Sequence, residues 1–375
     1  MSSAATLTVR PVTVPARLEL PEARDFLAMA DVFNTALEHD LGYDHLRWVP
    51  SEMLPGWQDQ TYRLQRGFVA RDGDRAVGAL QLTVPREQGA PEVEFDLLTA
   101  PGARGLGVEE RLLDTLYAEA GALGRSVVQT YTLHRADVPG DRMPSPSGFG
   151  AVPVDRESRF YLAQGFTLQQ VERNSVLDLQ QPLERTRAML AQAQAVAGPD
   201  YRLVTWTLPT PPERRTAFAE VIARMSTDVP TGDLTWTPEV WDADRVAQRD
   251  RRILDGGLTV SVAAVEHVPT GDLVAYSELA IGADPHRPTD QWGTLVVTGH
   301  RGRRLGTVVK CANALRWQRI APQSPFISTF NAEENRHMLD VNEAMGFRPL
   351  TVAGAWQKRL AGEAAAAAGE DARTP

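Results

Sequence analysis

One cysteine, Cys311, is all that this chain of 375 residues contains, so no internal disulfide can staple it. No apolar run approaches the length needed to span a bilayer as a helix, which argues against residence in a membrane. The first residues, Met1–Thr8, lack the basic stretch and apolar core of a secretory signal, and a cytoplasmic location is the expectation. Positive charge is in deficit. The net charge of −9 argues against nucleic acid as the main partner. Such a surface favours cationic partners such as amines, or serves solubility alone. Zinc-ligand spacing, a nucleophile elbow and a P-loop lysine are all missing, so no metal is expected.

What is present reads twice in the same order. In the first half an alternating segment, Thr6–Val14, precedes a helical pattern, Glu22–His39. Strand-like runs at Phe68–Arg71 and Ala76–Val84 flank the turn Asp72–Gly73–Asp74. A further run, Val93–Thr99, leads through Pro101–Gly107 into the helical pattern Val108–Ala122. Strand Ser126–Leu133, a helix near Arg156–Ala163 and Gly165–Phe166 follow. The second half repeats the series: strand Tyr201–Thr207, helix Glu213–Met225 and a second helical region, Trp236–Asp255. Then come strands Leu258–Val265, Leu273–Ala280 and Trp292–Val297, the turn Thr298–Gly306, and helix Leu305–Arg319. Strand Phe326–Phe330, helix Asn335–Met345 and Gly346–Phe347 complete it.

A repeat this long is a duplicated domain rather than a solenoid unit. The expectation is an α/β (α+β) protein with domains at 1–180 and 201–361, each a mixed, mostly antiparallel sheet flanked by helices. Residues 181–200 form the linker, with a helix over Leu183–Val196, and 362–375 form a disordered tail. The first half carries an insertion, His134–Asp155, whose Pro, Gly and Ser content reads as a loop.

The segment Thr298–Gly299–His300–Arg301–Gly302–Arg303–Arg304–Leu305–Gly306 joins a strand to a helix start. Turn amides and the positive end of a helix dipole make such a junction an anion site. With Asn335, Asn342 and Gly346–Phe347 beyond it, this half resembles the acyl-CoA-binding core of the GNAT acetyltransferases, and the whole chain resembles tandem GNAT proteins of the actinobacterial type. The family turn is commonly Arg/Gln-x-x-Gly-x-Gly/Ala. Arg301 and Gly306 match it, and Arg304 stands at the first Gly, where its amide can donate if the backbone avoids positive φ. In the first half Gly105 and Gly107 match, and Gly102 stands in the leading position.

The resemblance implies transfer of an acyl group from acetyl-CoA, or another acyl-CoA, to a small-molecule amine, by a monomer or homodimer that engages neither nucleic acid nor membrane. It places the pyrophosphate on Arg301, Gly302, Arg303, Arg304, Leu305 and Gly306, and the pantetheine beside Leu295, Val296 and Val297. Asn331 and Asn335 would flank the same arm; Asn335 is equally placed as a helix N-cap. Asn342 stands where many members carry a Tyr that protonates the leaving thiolate. Tyr161 holds that place in the first half, so catalysis there is an alternative, as is an acyl-CoA-binding protein that catalyses nothing. Glu278 lies between apolar residues on a strand and shares a face with Tyr276. Facing the cleft, it is the first candidate for general base; facing water, it is an ordinary surface acid. Asp233, in the polar segment Asp228–Asp233, is the second. His300 is read as a turn residue and Cys311 as a buried thiol.

Overall fold

A computed structural model describes residues 7–360. Its strands are β1 (Leu7–Pro11), β2 (Arg63–Asp72), β3 (Arg75–Pro85), β4 (Glu92–Thr99), β5 (Val127–Arg135), β6 (Arg142–Pro144), β7 (Ala151–Pro153), β8 (Thr167–Asp178), β9 (Tyr201–Thr207), β10 (Thr259–His267), β11 (Asp272–Ile281), β12 (Thr289–Val296), β13 (Phe326–Ala332) and β14 (Arg348–Arg359). Its helices are α1 (Arg24–Leu41), α2 (Pro50–Gln58), α3 (Val108–Ala122), α4 (Arg156–Ala163), α5 (Glu184–Ala197), α6 (Arg215–Ala223), α7 (Met225–Asp228), α8 (Ala243–Asp255), α9 (Leu305–Ile320) and α10 (Arg336–Met345). None is long and apolar enough to cross a membrane.

Twelve strands form one sheet in the order β1-β2-β3-β4-β5-β14-β8-β13-β12-β11-β10-β9. The order is a palindrome once the halves are superposed in sequence, and it shows an exchange. β8, which ends the first half, pairs with β13 of the second, and β14, which ends the second, pairs with β5 of the first. β8 and β14 lie antiparallel to each other at the centre. Buried polar groups secure the exchange, because an unpaired donor in a core is costly. Asn174 Nδ2 donates to Ser328 Oγ at 2.8 Å and to the Thr329 carbonyl at 3.2 Å. Trp356 Nε1 donates to Thr132 Oγ1 at 2.9 Å, and its ring sits wholly buried in the core of the first half.

In the second half, α6 packs on one face of the sheet through Phe218, Tyr276 and Val262, joined by Val246 and Ile253 of α8. α9 packs on the other face, with α5 behind it, so the linker segment is a docked helix rather than a free tether. Two local features matter for chemistry. Parallel pairing between β4 and β5 stops after Glu94–Gln129, and that between β12 and β13 stops after Asp290–Ser328, so both strand pairs splay. The register of β11 against β12 also shifts: Ser277 faces Thr294 and Leu279 faces Gln291, which leaves Trp292 and Gly293 opposite Glu278 alone. This is a β-bulge, a device that re-aims backbone groups. The matching pair β3–β4 runs without a shift.

The helical region Trp236–Asp255 begins only at Ala243; Thr237 is held outside it by Glu92, which accepts from its amide at 2.8 Å and its hydroxyl at 2.9 Å. The insertion His134–Asp155 contains the hairpin β6–β7 as well as loop. The tail 362–375 lies outside the described residues.

Candidate active site

The turn after β12 is a short 3-10 segment, Thr298–His300, then Arg301 in extended conformation, Gly302 at φ +81° and Arg304 at φ +57° as the N-cap of α9. The turn after β4 has the same trace: Pro101–Ala103, then Arg104 extended, Gly105 at φ +72° and Gly107 at φ +78° before α3. This match corrects the alignment of the first half. Arg104, not Gly102, is equivalent to Arg301, Gly107 to Arg304, and Glu109 to Gly306. In the first half Arg104 is clamped by Asp40 at 2.6 and 2.7 Å, and buried Glu109 puts a carboxylate at the start of α3, paired with Arg156. In the second half Arg301, Arg303 and Arg304 are all exposed. A Cβ on Gly306 would come no nearer than 3.5 Å to any neighbour, so the helix start is open. The two equivalent turns thus differ in charge: the first places a carboxylate at its helix start and the second has none there.

The condition under which the Arg304 amide could donate is not met, because the residue takes a positive φ. Among the described residues it is the only non-glycine there. Such a conformation costs about 1 kcal/mol. Arg304→Gly should therefore leave stability equal or slightly raised, since relief of strain is partly offset by glycine's freer unfolded chain. Thermal unfolding checks this; a clear loss of stability would show that the Arg304 side chain supports the turn. Arg301 itself is occupied: its Nε donates to the Val296 carbonyl at 3.2 Å and its guanidinium to the Asp228 carbonyl at 2.7 Å. Asp228 accepts from the Thr298 hydroxyl at 3.0 Å. Partial burial would raise its pKa, yet hydrogen bonds from Thr298 and Thr227 prevail and hold it low. It braces the turn.

Glu278 faces inward. It is 3% exposed and lines a cavity of about 630 Å³ with Tyr276, Trp292 and Gly293. Arg249 of α8 donates to both its carboxylate oxygens, at 2.8 and 2.9 Å. Burial pushes the Glu278 pKa up, Arg249 pulls it back, and the net direction is upward. Tyr276 reaches the bulge: a Cβ on Gly293 would meet its hydroxyl oxygen at 2.5 Å, so only glycine fits there. Burial raises the Tyr276 pKa well above the phenol range, keeping it a neutral donor. The far wall of the cavity comes from the other half of the chain, through Gly56, Asp59, Tyr62, Arg63 and Gln65.

The other expected residues divide. Leu295 is buried against the α6 side, and Val296 touches the helix start through Gly306. Asn335 is the N-cap of α10, accepting from the Met338 amide at 3.4 Å. Asn342 is buried and donates to Asn331 Oδ1 at 2.7 Å, while its own Oδ1 is buried with no partner among the described residues. Asp233 is not brought to the cavity. It is exposed and lines a separate depression with Gly165 and Lys358, which withdraws it as second base. Cys311 is fully buried, and burial pushes its thiol pKa up to about 12. Tyr161 is packed among Phe95, Phe160, Phe166 and Trp356, and burial drives its phenol far above its ordinary pKa. Tyr161→Phe should leave turnover within about threefold, whereas acid–base residues contribute about 10²-fold or more. A hundredfold fall in kcat would move the chemistry to the first half.

Arg249, the bulge, Tyr276's reach and the wall from the first half were not assigned from sequence. Only Tyr276 carried a signal, its shared strand face with Glu278.

No family profile and no curated protein sequence matches the chain. Solved structures do. A tandem GNAT protein from the clavulanic acid biosynthesis pathway superposes with TM-score 0.69 over 95% of this chain and 99% of that one, at 24% identity. This chain has the tandem GNAT fold. A GCN5-related N-acetyltransferase from Sphaerobacter thermophilus matches with TM-score 0.58 at 14% identity, over 94% and 95% of the two chains. A fungal GCN5-related glucosamine N-acetyltransferase region, within a multi-domain β-N-acetylglucosaminidase, matches with TM-score 0.57 at 14% identity, covering 95% of this chain and 38% of that one. In GNAT terms, each half contributes its last strand to the other's sheet.

Proposed function

We propose that the protein is an acyl-CoA-dependent N-acyltransferase, with acetyl-CoA as the donor and a small-molecule amine as the acceptor, and that the second half carries the chemistry. One observation carries this reading: the bulge at Trp292–Gly293 lies opposite buried Glu278, where β12 parts from β13, on a chamber large enough for a small molecule. The first half has the splay but no bulge, and its helix start carries buried Glu109, paired with Arg156. We take 1–180 and 201–361 as the two domains, with 181–200 between them, acting as a cytoplasmic monomer or homodimer.

Acyl-CoA supplies an activated thioester. The amides of Gly302, Arg303, Leu305 and Gly306, with the exposed arginines, hold the phosphates. The edge of β12 freed by the splay receives the pantetheine, and Asn342 offers it an unused carbonyl oxygen. A backbone N–H at the bulge polarises the thioester carbonyl. Glu278 takes the proton from the attacking amine. The Tyr276 hydroxyl, beside the bulge, is the donor for the departing sulfur, the role that Asn342 cannot fill at neutral pH.

Release of free thiol from acetyl-CoA in the presence of an amine panel tests the reading, with calorimetry of CoA alone beside it. CoA binding and amine-dependent release support it. Binding without release from any amine favours a non-catalytic acyl-CoA-binding protein, and absence of CoA binding overturns both.

A further inference from the structure

The chamber beside Glu278 is lined by charges of both signs. Four arginines line it, Arg63, Arg245, Arg249 and Arg252, against the carboxylates of Asp59, Glu239 and Glu278. Three of the four are engaged. Arg63 donates to Glu239 at 2.6 Å. Arg245 donates to Glu87 at 2.9 Å and lies between the rings of Tyr62 and Trp241. Arg249 holds Glu278 through Nη2, and its Nη1, which makes no hydrogen bond, is ion-paired at 3.6 Å with the buried carboxylate of Asp250. Arg252 has neither an ion pair nor a hydrogen bond among the described residues, although it is half-buried. Asp59, on the facing wall, is taken up by Gln248 at 2.8 and 2.9 Å.

Arg245, Arg249 and Arg252 recur at spacings of four and three, so they form one stripe of α8 facing the chamber. Arg252 stands one turn beyond Arg249, about 4.5 Å along the helix axis. It also lines a second, more open depression of about 900 Å³, which shares Asp59, Gln248 and Arg252 with the chamber. Arg252 therefore stands where the chamber meets the outside. Burial depresses its pKa, Asp59 opposes this, and the neighbouring Arg249, Arg63 and Arg245 depress it further. A guanidinium crowded by others of its kind is relieved by an anion, and the planar fork of arginine matches a carboxylate.

We propose that the acceptor is an amine that also carries a carboxylate, and that Arg252, one turn beyond Arg249, binds that carboxylate while the amine meets Glu278. The net charge of −9 points to cationic acceptors; the chamber selects a zwitterionic one instead. The amine part of this inference rests on the acyl-transfer reading, whereas the carboxylate site rests on the arginines alone.

The test uses the full chain and pairs of probes that differ only in the acid group: β-alanine, 4-aminobutyrate, L-glutamate and L-lysine, each beside its carboxamide. Calorimetry without acyl-CoA at constant ionic strength should show at least one acid binding about tenfold or more tighter than its amide, the worth of a charged hydrogen-bonded pair. Arg252→Gln should erase that preference, and Arg252→Lys should keep part of it. Affinity for acetyl-CoA, measured on the same samples, should not change in Arg252→Gln, which also verifies that the variant is folded. The proposal is overturned if no acid outbinds its amide, or if Arg252→Gln keeps the preference. Acid binding that depends on Arg252, in a protein that neither binds acetyl-CoA nor releases thiol, leaves the carboxylate site standing and removes the acyl-transfer reading. Acetyl-CoA binding without acid preference does the reverse.

Discussion

Gly306→Glu should abolish CoA binding and leave the fold as stable as before, or more so. The residue is the second of α9, where a Glu side chain interacts well with the helix dipole and any residue with a Cβ is a better helix former than glycine. The added Cβ finds Val296 Cγ2 at 3.5 Å and Met338 Cε at 3.9 Å, both ordinary contacts. What changes is the charge. A carboxylate within about 4 Å of a phosphate costs about 4 kcal/mol at the effective dielectric of a protein surface. Affinity should therefore fall by at least about a hundredfold. The chain already carries this change once: Glu109 holds the equivalent place in the first half, where Arg156 pairs with it. Calorimetry with CoA reads the effect, and thermal unfolding controls for the fold. Unchanged affinity in a stable variant would remove the turn from the cofactor site.

The strands that could be read in advance are those whose apolar pattern is local. Tyr201–Thr207 is β9 to the residue, and Leu273–Ala280 falls within β11. The two exchanged strands, β8 and β14, were not legible. β8 contains Gln169, Gln170, Glu172, Arg173 and Asn174 in succession around a single Val, and no alternation announces it. Its donors meet residues far along the chain: Asn174 Nδ2 meets Ser328 and Thr329, and Arg173 meets Glu333 at 2.8 and 2.9 Å. β14 hides in the same way, because its Trp356 belongs to the core of the opposite half. Local periodicity reports which face is buried, not which partner buries it.

The site was legible to the same limit. The anion turn is contiguous and carries its own signal. For the leading residue of its counterpart the sequence spacing favours Gly102, while the backbone conformation selects Arg104. The acceptor chamber had no contiguous signal at all. It is assembled from a helix, two strands and a wall from the other half, and the α8 stripe of Arg245, Arg249 and Arg252 forms no contiguous motif.

Glu278→Gln should lower kcat by about 10²–10⁴ with little change in CoA affinity. The side chain keeps its size and can still accept from Arg249 through its amide oxygen, so the chamber should hold its shape. It loses only the capacity to take a proton near neutral pH. The sign of the pH dependence follows from the environment. Burial raises the Glu278 pKa more than Arg249 lowers it, so the carboxylate ionises above the usual carboxylate range. The wild-type rate should rise with pH through that raised value and again as the amine deprotonates. The variant should lose the first rise and keep the second, recovering part of its activity at high pH, where neutral amine is supplied by solvent. Asp233→Asn, on the exposed depression, should be silent. Full kcat in Glu278→Gln, with an unchanged pH profile, would mean that water takes the proton, leaving positioning and the bulge amide to provide the acceleration. A loss confined to KM would instead make Glu278 a group that binds the ammonium form without accepting its proton.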